Sequence, residues 1–160
     1  MLAVTVYGIA DDDVLLFGIA ANVVAALGAI VGGRIDDRIG PKRVITVSLA
    51  AMVIAGLALL VVSGPLLFWI LGLLLCLFVG PAQSSARTFL VRIAPPGREG
   101  QLFGLYATTG RAVSFLAPSL FGLFAFAFGT DRAGIVGIVA VLALGLAALR
   151  LVSPPAVSSR

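Results

Sequence analysis

Long apolar runs, separated by short polar or charged segments, organise this chain. A helix needs about 20 mostly apolar residues to cross the hydrocarbon core of a bilayer. Five stretches meet this requirement, at 14–33, 44–63, 65–86, 101–128 and 134–152. Only Ser63-Gly64-Pro65 separates the second from the third, and Gly followed by Pro marks a turn, so these two form a hairpin. The pattern predicts an all-α, polytopic membrane protein of about five transmembrane helices, with residues 1–160 as a single membrane domain.

The basic residues between the runs give an independent check on the number of spans. Five spans place nine of the eleven Lys and Arg residues on one side of the membrane, namely Arg34, Arg38, Lys42, Arg43, Arg87, Arg92, Arg98, Arg150 and Arg160. Arg132 falls on the other side and Arg111 within the fourth span. Lys and Arg mark cytoplasmic loops. We therefore predict a cytoplasmic C-terminus and an external aspartate run at 11–13.

Composition excludes most other classes of protein. Hydrophobic residues make up 61% of the chain and charged residues 11%, whereas a soluble domain carries roughly 25% charged residues. The lipid bilayer is therefore the expected partner. The net charge of +4 comes from short loops without a basic, aromatic-rich face, so nucleic acid is not an expected partner. The chain has no histidine and one cysteine, Cys76, and its acids lie at span ends, so no enzyme, cofactor or metal site is predicted.

Polar and helix-breaking residues enter the first, third and fourth spans, while the second and fifth are almost uniformly apolar. We expect the uniform helices to face lipid and the others to face an interior. In the first span, Gly28 and Gly32 form a GxxxG pair that favours close helix packing. Asn22 lies near the middle of that span. It either makes an interhelical hydrogen bond or lines a pore.

The fourth span carries the most polar face. Residues at steps of three and four share one side of a helix, and here they are Gly104, Ala107, Thr108, Arg111, Ser114 and Pro118. An arginine at the centre of a span costs about 2.5–3.5 kcal/mol on insertion scales. Arg111 therefore either snorkels to the interface or faces a cavity where it meets an anionic ligand or a carboxylate. The predicted substrate-cavity residues are Asn22, Thr108, Arg111 and Ser114.

A charged segment at 33–43 joins the first two spans. Gly40 permits a tight turn, and Pro41 suits the first position of the next helix. Arg34 and Arg38 complement the negative end of the first helix. Four further charges oppose the helix dipoles unless they are paired, namely Asp36, Asp37, Lys42 and Arg43.

This segment resembles the signature loop of the major facilitator superfamily, which reads Gly, three residues, Asp-Arg, one residue, Gly and then a basic cluster. The matching residues are Gly33, Asp37, Arg38, Gly40, Lys42 and Arg43, and Pro41 departs from the usual basic residue. In that family the loop joins the second and third helices of each six-helix half. The resemblance implies a conformational role, in which the loop locks one state by contact with the opposite half.

Three further stretches narrow the resemblance. They resemble the C-terminal half of the vacuolar autophagy-linked amino-acid effluxers and their bacterial relatives. The stretches are GPAQSSAR at 80–87, APPGRE at 94–99 and FGLY at 103–106, followed by Pro118. This implies a partial major facilitator fold in which the five spans correspond to helices eight to twelve. Residues 1–10 would then be the remnant of helix seven, and the second and fifth spans would be peripheral.

The same resemblance implies a solute transporter that works by alternating access, with amino-acid efflux as its candidate activity. Its implied partners are a small-molecule solute and either the missing N-terminal half or another copy of the chain. Its implied location is the inner membrane of a bacterium. The alternative from the residues alone is a small, self-associating membrane protein with a structural or accessory role, built on glycine-rich faces.

Overall fold

The computed structural model describes residues 11–62, 64–95 and 97–152, and over these residues the chain is all-helical. Six helices follow one another: α1 (Asp11–Ile39), α2 (Pro41–Val61), α3 (Pro65–Ile93), α4 (Glu99–Val113), α5 (Leu116–Phe128) and α6 (Asp131–Leu151). Four of them, α1, α2, α3 and α6, are long and apolar enough to cross a membrane. This confirms the predicted fold class. The predicted helix remnant at 1–10 lies outside the described residues.

The packing of α1 against α3 is the closest helix contact in the bundle. A Cβ added at Gly32 would meet the ring of Pro81, and one added at Gly28 would meet Leu77 and Pro81. Further toward the start of both helices, the ring of Phe17 lies 5.4 Å from that of Phe68 and 5.2 Å from that of Trp69. Residue numbers rise together on both helices, so α1 and α3 run parallel. The predicted packing role of Gly28 and Gly32 is confirmed.

A second interface joins α2 to α6. Leu59 of α2 packs with Ile135 and Val139 of α6 in the apolar core, and a Cβ at Gly56 would lie 2.7 Å from Val139. Since α3 also packs on α2, and α5 packs on α6, the helices form a row in the order α1, α3, α2, α6, α5.

The burial of α2 bears on the expectation that the second span faces lipid. In its most apolar window 33% of the residues are buried, against 11% in α1 and α3 and 22% in α6. α2 is thus the most buried of the four candidate spans, although Ile54 and Val61 on it are exposed, so the lipid-facing position of the second span stays a prediction. A helix that is apolar on every side suits a protein core as well as it suits lipid, so uniform composition does not separate the two positions.

The fourth predicted span is divided into α4 and α5. The junction is a tight helical turn at Ser114 and Phe115, where the N–H of Ser114 donates to the carbonyl of Arg111. Pro118 cannot donate to the carbonyl of Ser114, which favours an interruption at this point. α5 packs on α6, while the described residues of α4 are exposed apart from the half-buried Leu102.

Candidate functional site

The turn between α1 and α2 is the first part of the candidate site. α1 continues through Gly33, Asp37 and Arg38 to Ile39, so most of the predicted loop is helix. The chain reverses at Gly40, whose φ of 87° suits glycine, and Pro41 begins α2. Nothing before Gly40 breaks the helix, which explains why it runs past the predicted end of the span. A sharp turn between two helices replaces the loop expected from the sequence.

Lys42 spans a long distance in the sequence. Its Nζ donates to the backbone carbonyl of Val152, the C-cap residue that follows α6. Carbonyls at a helix C-terminus carry partial negative charge and lack partners within the helix, so a lysine stabilises them. At the start of α2 the positive charge of Lys42 is unfavourable beside the positive end of the helix dipole. The bond to the Val152 carbonyl gives this charge a partner of opposite sign. It ties the α1–α2 turn to the end of α6.

Asp36 has the opposite environment from its neighbour Asp37. Asp36 is 3% exposed, and its Oδ1 has no hydrogen-bond partner among the described residues, whereas Asp37 is exposed. Ser85 of α3 is 0% exposed, and its Oγ also lacks a described partner. Gly32 contacts Pro81, and Asp36 and Ser85 each follow one helical turn later. The parallel register therefore places these two buried polar groups at the same level of the α1–α3 interface.

Sequence reasoning missed the buried pair, although a signal for it was present. Asp36 continues the series Gly28, Gly32 at steps of four, so the face that packs on α3 also carries this carboxylate. The remaining charged residues of the segment, Arg34, Arg38 and Arg43, are exposed, as Asp37 is. The charges of this short segment thus divide into a buried acid, an exposed set of three arginines and one acid, and a lysine that reaches the end of α6.

The polar side chains of the predicted substrate cavity are exposed and bonded to their own helices. Asn22 Nδ2 donates to the carbonyl of Gly18 at 2.8 Å. Thr108 Oγ1 donates to the carbonyl of Gly104 at 2.8 Å, and Ser114 Oγ to that of Arg111 at 2.7 Å. Local bonds of this kind satisfy a hydroxyl without a tertiary partner.

Arg111 differs from the other three predicted cavity residues. Its side chain is exposed in the last turn of α4 and makes no hydrogen bond to any residue that the structure describes. A guanidinium carries five N–H donors. The hydroxyls of Thr108 and Ser114 donate to carbonyls of the same segment, whereas the guanidinium of Arg111 has no such partner among the described residues. The structure does not bring Asn22 of α1 to this group, because α1 and α4 form no packed interface over the described residues. The arrangement on α4 is suited to binding an anionic group at a surface that the described helices leave open.

These features define a polytopic helical membrane protein with a charged turn at one end and an open polar face on one helix. Comparison with known families gives the particular class. The sequence profile described as "Major Facilitator Superfamily" matches residues 2–160, so the chain belongs to that superfamily. It is a family of membrane transporters and not of enzymes.

Individual relatives agree with this assignment. The chain is 24% identical over 145 residues to "Uncharacterized MFS-type transporter YxiO" of Bacillus subtilis, a match that covers 91% of this chain and 34% of the relative. It is 24% identical over 165 residues to "Autophagy-related protein 22" of Cryptococcus neoformans var. neoformans serotype D, covering 93% and 30%. With "Autophagy-related protein 22-2" of Neosartorya fischeri it is 31% identical over 83 residues, covering 52% and 14%.

The chain therefore spans about a third or less of the length of these curated relatives. No solved structure matches the chain. The resemblance to autophagy-linked transporters and their bacterial relatives is confirmed as a distant relationship over part of their length.

Proposed function

We propose that this chain forms one wall of a solute pathway that works by alternating access, with the exposed face of α4 toward the solute. Membership of the superfamily supports transport as the activity. α4 has no packed neighbour along most of its described surface. This exposure supports a position of α4 beside the pathway. The opposite wall would come from the rest of a twelve-helix fold or from another copy.

The observation that carries the proposal is Arg111. It is the one charged residue inside the fourth predicted span, and Thr108 and Ser114 share its face of the helix. An arginine in a span is costly unless water, a counter-charge or a ligand reaches it. Its planar donor pairs suit bidentate binding of a carboxylate, so the proposed solute carries a carboxylate, as an amino acid does.

The conformational role of the α1–α2 turn belongs to the same proposal. Asp37, Arg38 and Arg43 are exposed at the turn and are available to contact an opposite half, while Gly40 fixes the direction in which they project. We place this end of the bundle on the cytoplasmic side of a bacterial plasma membrane. The bacterial relative and the nine basic residues of that side support this placement.

The test is counterflow of labelled amino acids in proteoliposomes that contain this chain, by itself and together with the remaining helices of the fold. We expect flux only when both walls are present. Arg111→Leu should abolish flux while membrane insertion stays normal, and Arg111→Lys should retain part of it if charge alone matters. The matched control is Arg92→Leu, an exposed arginine in the last turn of α3. Near-normal flux in Arg111→Leu would remove the basis of the proposal.

Self-association is the second candidate function, and one observation favours it. Gly100 and Gly104 stand one turn apart on α4, and a Cβ added at either would meet nothing within 4 Å. Two such glycines allow a second helix to approach closely. Under this alternative, Gly104→Leu should abolish a crosslinked dimer, whereas Arg111→Leu should leave the dimer intact.

A further inference from the structure

Two buried oxygens on α1 and α3 have no hydrogen-bond partner among the described residues. They are Oδ1 of Asp36 and Oγ of Ser85, and their residues are 3% and 0% exposed. Buried polar atoms are almost always paired with another polar group, and an ionised carboxylate is the most costly of them to leave alone. The two oxygens therefore mark a place where a partner from outside the described chain can bind.

The helix register brings the two side chains to one level of the α1–α3 interface. A Cβ added at Gly32 would lie 2.5 Å from Cβ of Pro81, and Asp36 and Ser85 each follow by four residues, about one turn on parallel helices. Asp36 shares with Gly32 the face of α1 that packs on α3. Ser85 likewise shares with Pro81 the face of α3 that packs on α1. Both oxygens thus belong to the same interface.

Ser85 differs from the neighbouring hydroxyl residues of α3. Ser84 Oγ donates to the carbonyl of Pro81 at 3.2 Å, and Thr88 Oγ1 donates to the carbonyl of Ser84 at 3.3 Å. Helical Ser and Thr often satisfy their hydroxyls on their own helix in this way. The hydroxyl of Ser85 makes no such bond, so its oxygen is available as a ligand at the interface.

The basic side chains around the pair do not supply the counter-charge. Arg34 and Arg38 stand two residues from Asp36 on either side, which places them about 160° around α1, and both are exposed. Lys42 at the start of α2 donates to the end of α6. The other described basic residues of α2 and α3 are also exposed, namely Arg43, Arg87 and Arg92.

We propose that Asp36 and Ser85 hold one monovalent metal cation, Na⁺, between α1 and α3. One carboxylate and one neutral hydroxyl balance a single positive charge, whereas a divalent ion would leave net charge in a buried interface. Oxygen ligands suit hard cations, and the close approach of the two helices favours a small ion. The last carbonyls of α1 lack helical partners and carry partial negative charge, so they favour a cation at the same place.

The proposed site lies near the end of α1. Asp36 precedes the turn at Gly40 by four residues, which is about 6 Å along the helix axis, and the neighbouring Asp37 and Arg38 are exposed. A cation therefore enters from the water at this end without crossing the bilayer. Once bound, it joins α1 to α3 one turn beyond their closest contact. This site is separate from Arg111 and does not rest on the proposed transport activity.

The first experiment is thermal unfolding of the purified chain in detergent, followed by circular dichroism in sodium chloride or choline chloride at equal ionic strength. Choline carries the same charge but is too large for a site between two packed helices. A ligand that binds only the folded chain stabilises it. At a tenfold excess of Na⁺ over its dissociation constant, the melting temperature should rise by about 3–6 °C relative to choline. Equal melting temperatures in the two salts would overturn the proposal.

Neighbouring residues provide matched controls for both ligands. Asp36→Asn and Ser85→Ala should each lose the rise caused by Na⁺. Asp37→Asn and Ser84→Ala should keep it, because Asp37 is exposed and Ser84 is bonded to its own helix. In choline chloride Asp36→Asn should melt above the unmodified chain, since nothing offsets the buried carboxylate there, and Na⁺ should narrow this difference. The same response to Na⁺ in all four variants would overturn the proposal.

A direct binding measurement separates the site from general effects of salt on stability. Equilibrium binding of radiolabelled Na⁺ to the unmodified chain should saturate at one ion per chain. Asp36→Asn should abolish this binding, and Asp37→Asn should retain it. Absence of saturable binding to the unmodified chain, or equal binding by the two variants, would refute the assignment of the site to Asp36.

Discussion

Replacing Gly32 by alanine places a methyl carbon where α1 and α3 are closest. A Cβ at this position would lie 2.5 Å from Cβ, 2.8 Å from Cγ and 2.9 Å from Cα of Pro81. Carbon atoms in contact prefer a separation of about 3.5–4.0 Å, so the two helices would have to move apart by about 1 Å. The pyrrolidine ring has no alternative rotamer that would relieve the overlap. We therefore expect Gly32→Ala to open the α1–α3 interface.

The neighbouring Gly33 provides a matched control on the same helix. A Cβ added at Gly33 meets nothing within 4 Å, so Gly33→Ala changes only the helix propensity, by about 0.5–1 kcal/mol in favour of alanine. Gly32→Ala has the same propensity gain but adds an overpacking cost of about 1–3 kcal/mol. The difference between the two variants isolates the packing cost. At about 2–4 °C per kcal/mol for a chain of this size, Gly32→Ala should melt roughly 2–12 °C below Gly33→Ala.

The single cysteine provides the assay. Cys76 is half-buried on α3, next to Leu77, which approaches Gly28. A thiol-reactive fluorophore added during a thermal ramp in detergent should report the loss of this interface, with circular dichroism as an independent measure of helix content. If Gly32→Ala melts at or above Gly33→Ala, the close approach of α1 and α3 described here is incorrect.

Three other measurements test the turn and the topology. Lys42→Gln should lower the thermal stability by a few tenths of a kcal/mol, because the end of α6 loses its cation. Lys42→Arg should retain the stability of the unmodified chain, and equal melting temperatures of the two variants would contradict the contact with Val152. Asp36→Asn should raise the melting temperature, since it removes a buried carboxylate without a described partner. The control Asp37→Asn should change stability by less than about 0.5 kcal/mol. A lower melting temperature in Asp36→Asn would show that the fold needs the carboxylate. Reporter fusions after Gly64 and at the C-terminus should report opposite sides of the membrane, and a result on the same side would refute the count of five spans.

The four long helices and the two glycine–proline turns were predictable because their signals are local, whereas the extension of α1 to Ile39 and the division of the fourth span were not. An apolar run of 20 residues has few alternatives to a spanning helix. Each of the two sharp turns combines a glycine with a following proline, and both glycines have positive φ, 87° at Gly40 and 111° at Gly64. Glycine adopts the positive φ that other residues rarely reach, and proline restricts its own φ wherever it stands, so a single sequence is enough to place these turns.

The contacts between helices were less predictable because they depend on helical phase and on partners far along the chain. The bond from Lys42 to Val152 joins residues 110 positions apart, and no local pattern indicates it. The burial of Asp36 required knowing that α1 continues to Ile39, since only then does the acid fall on the Gly28–Gly32 face. The burial of α2 could not be separated from lipid exposure, because both environments select the same apolar residues.

The charged segment at 33–43 makes contacts that reach several helices of the bundle. Asp36 lies at the α1–α3 interface, Gly40 sets the angle between α1 and α2, and Lys42 binds the end of α6. Asp36 and Lys42 are six positions apart on either side of the turn, so the turn between α1 and α2 lies next to contacts with both α3 and the end of α6. A contact made by the exposed Asp37 or Arg38 with another part of a transporter would thus be transmitted to three helices at once. Under the proposed conformational role, the contacts of Asp36 and Lys42 on either side of one tight turn would connect such a lock to the rest of the bundle.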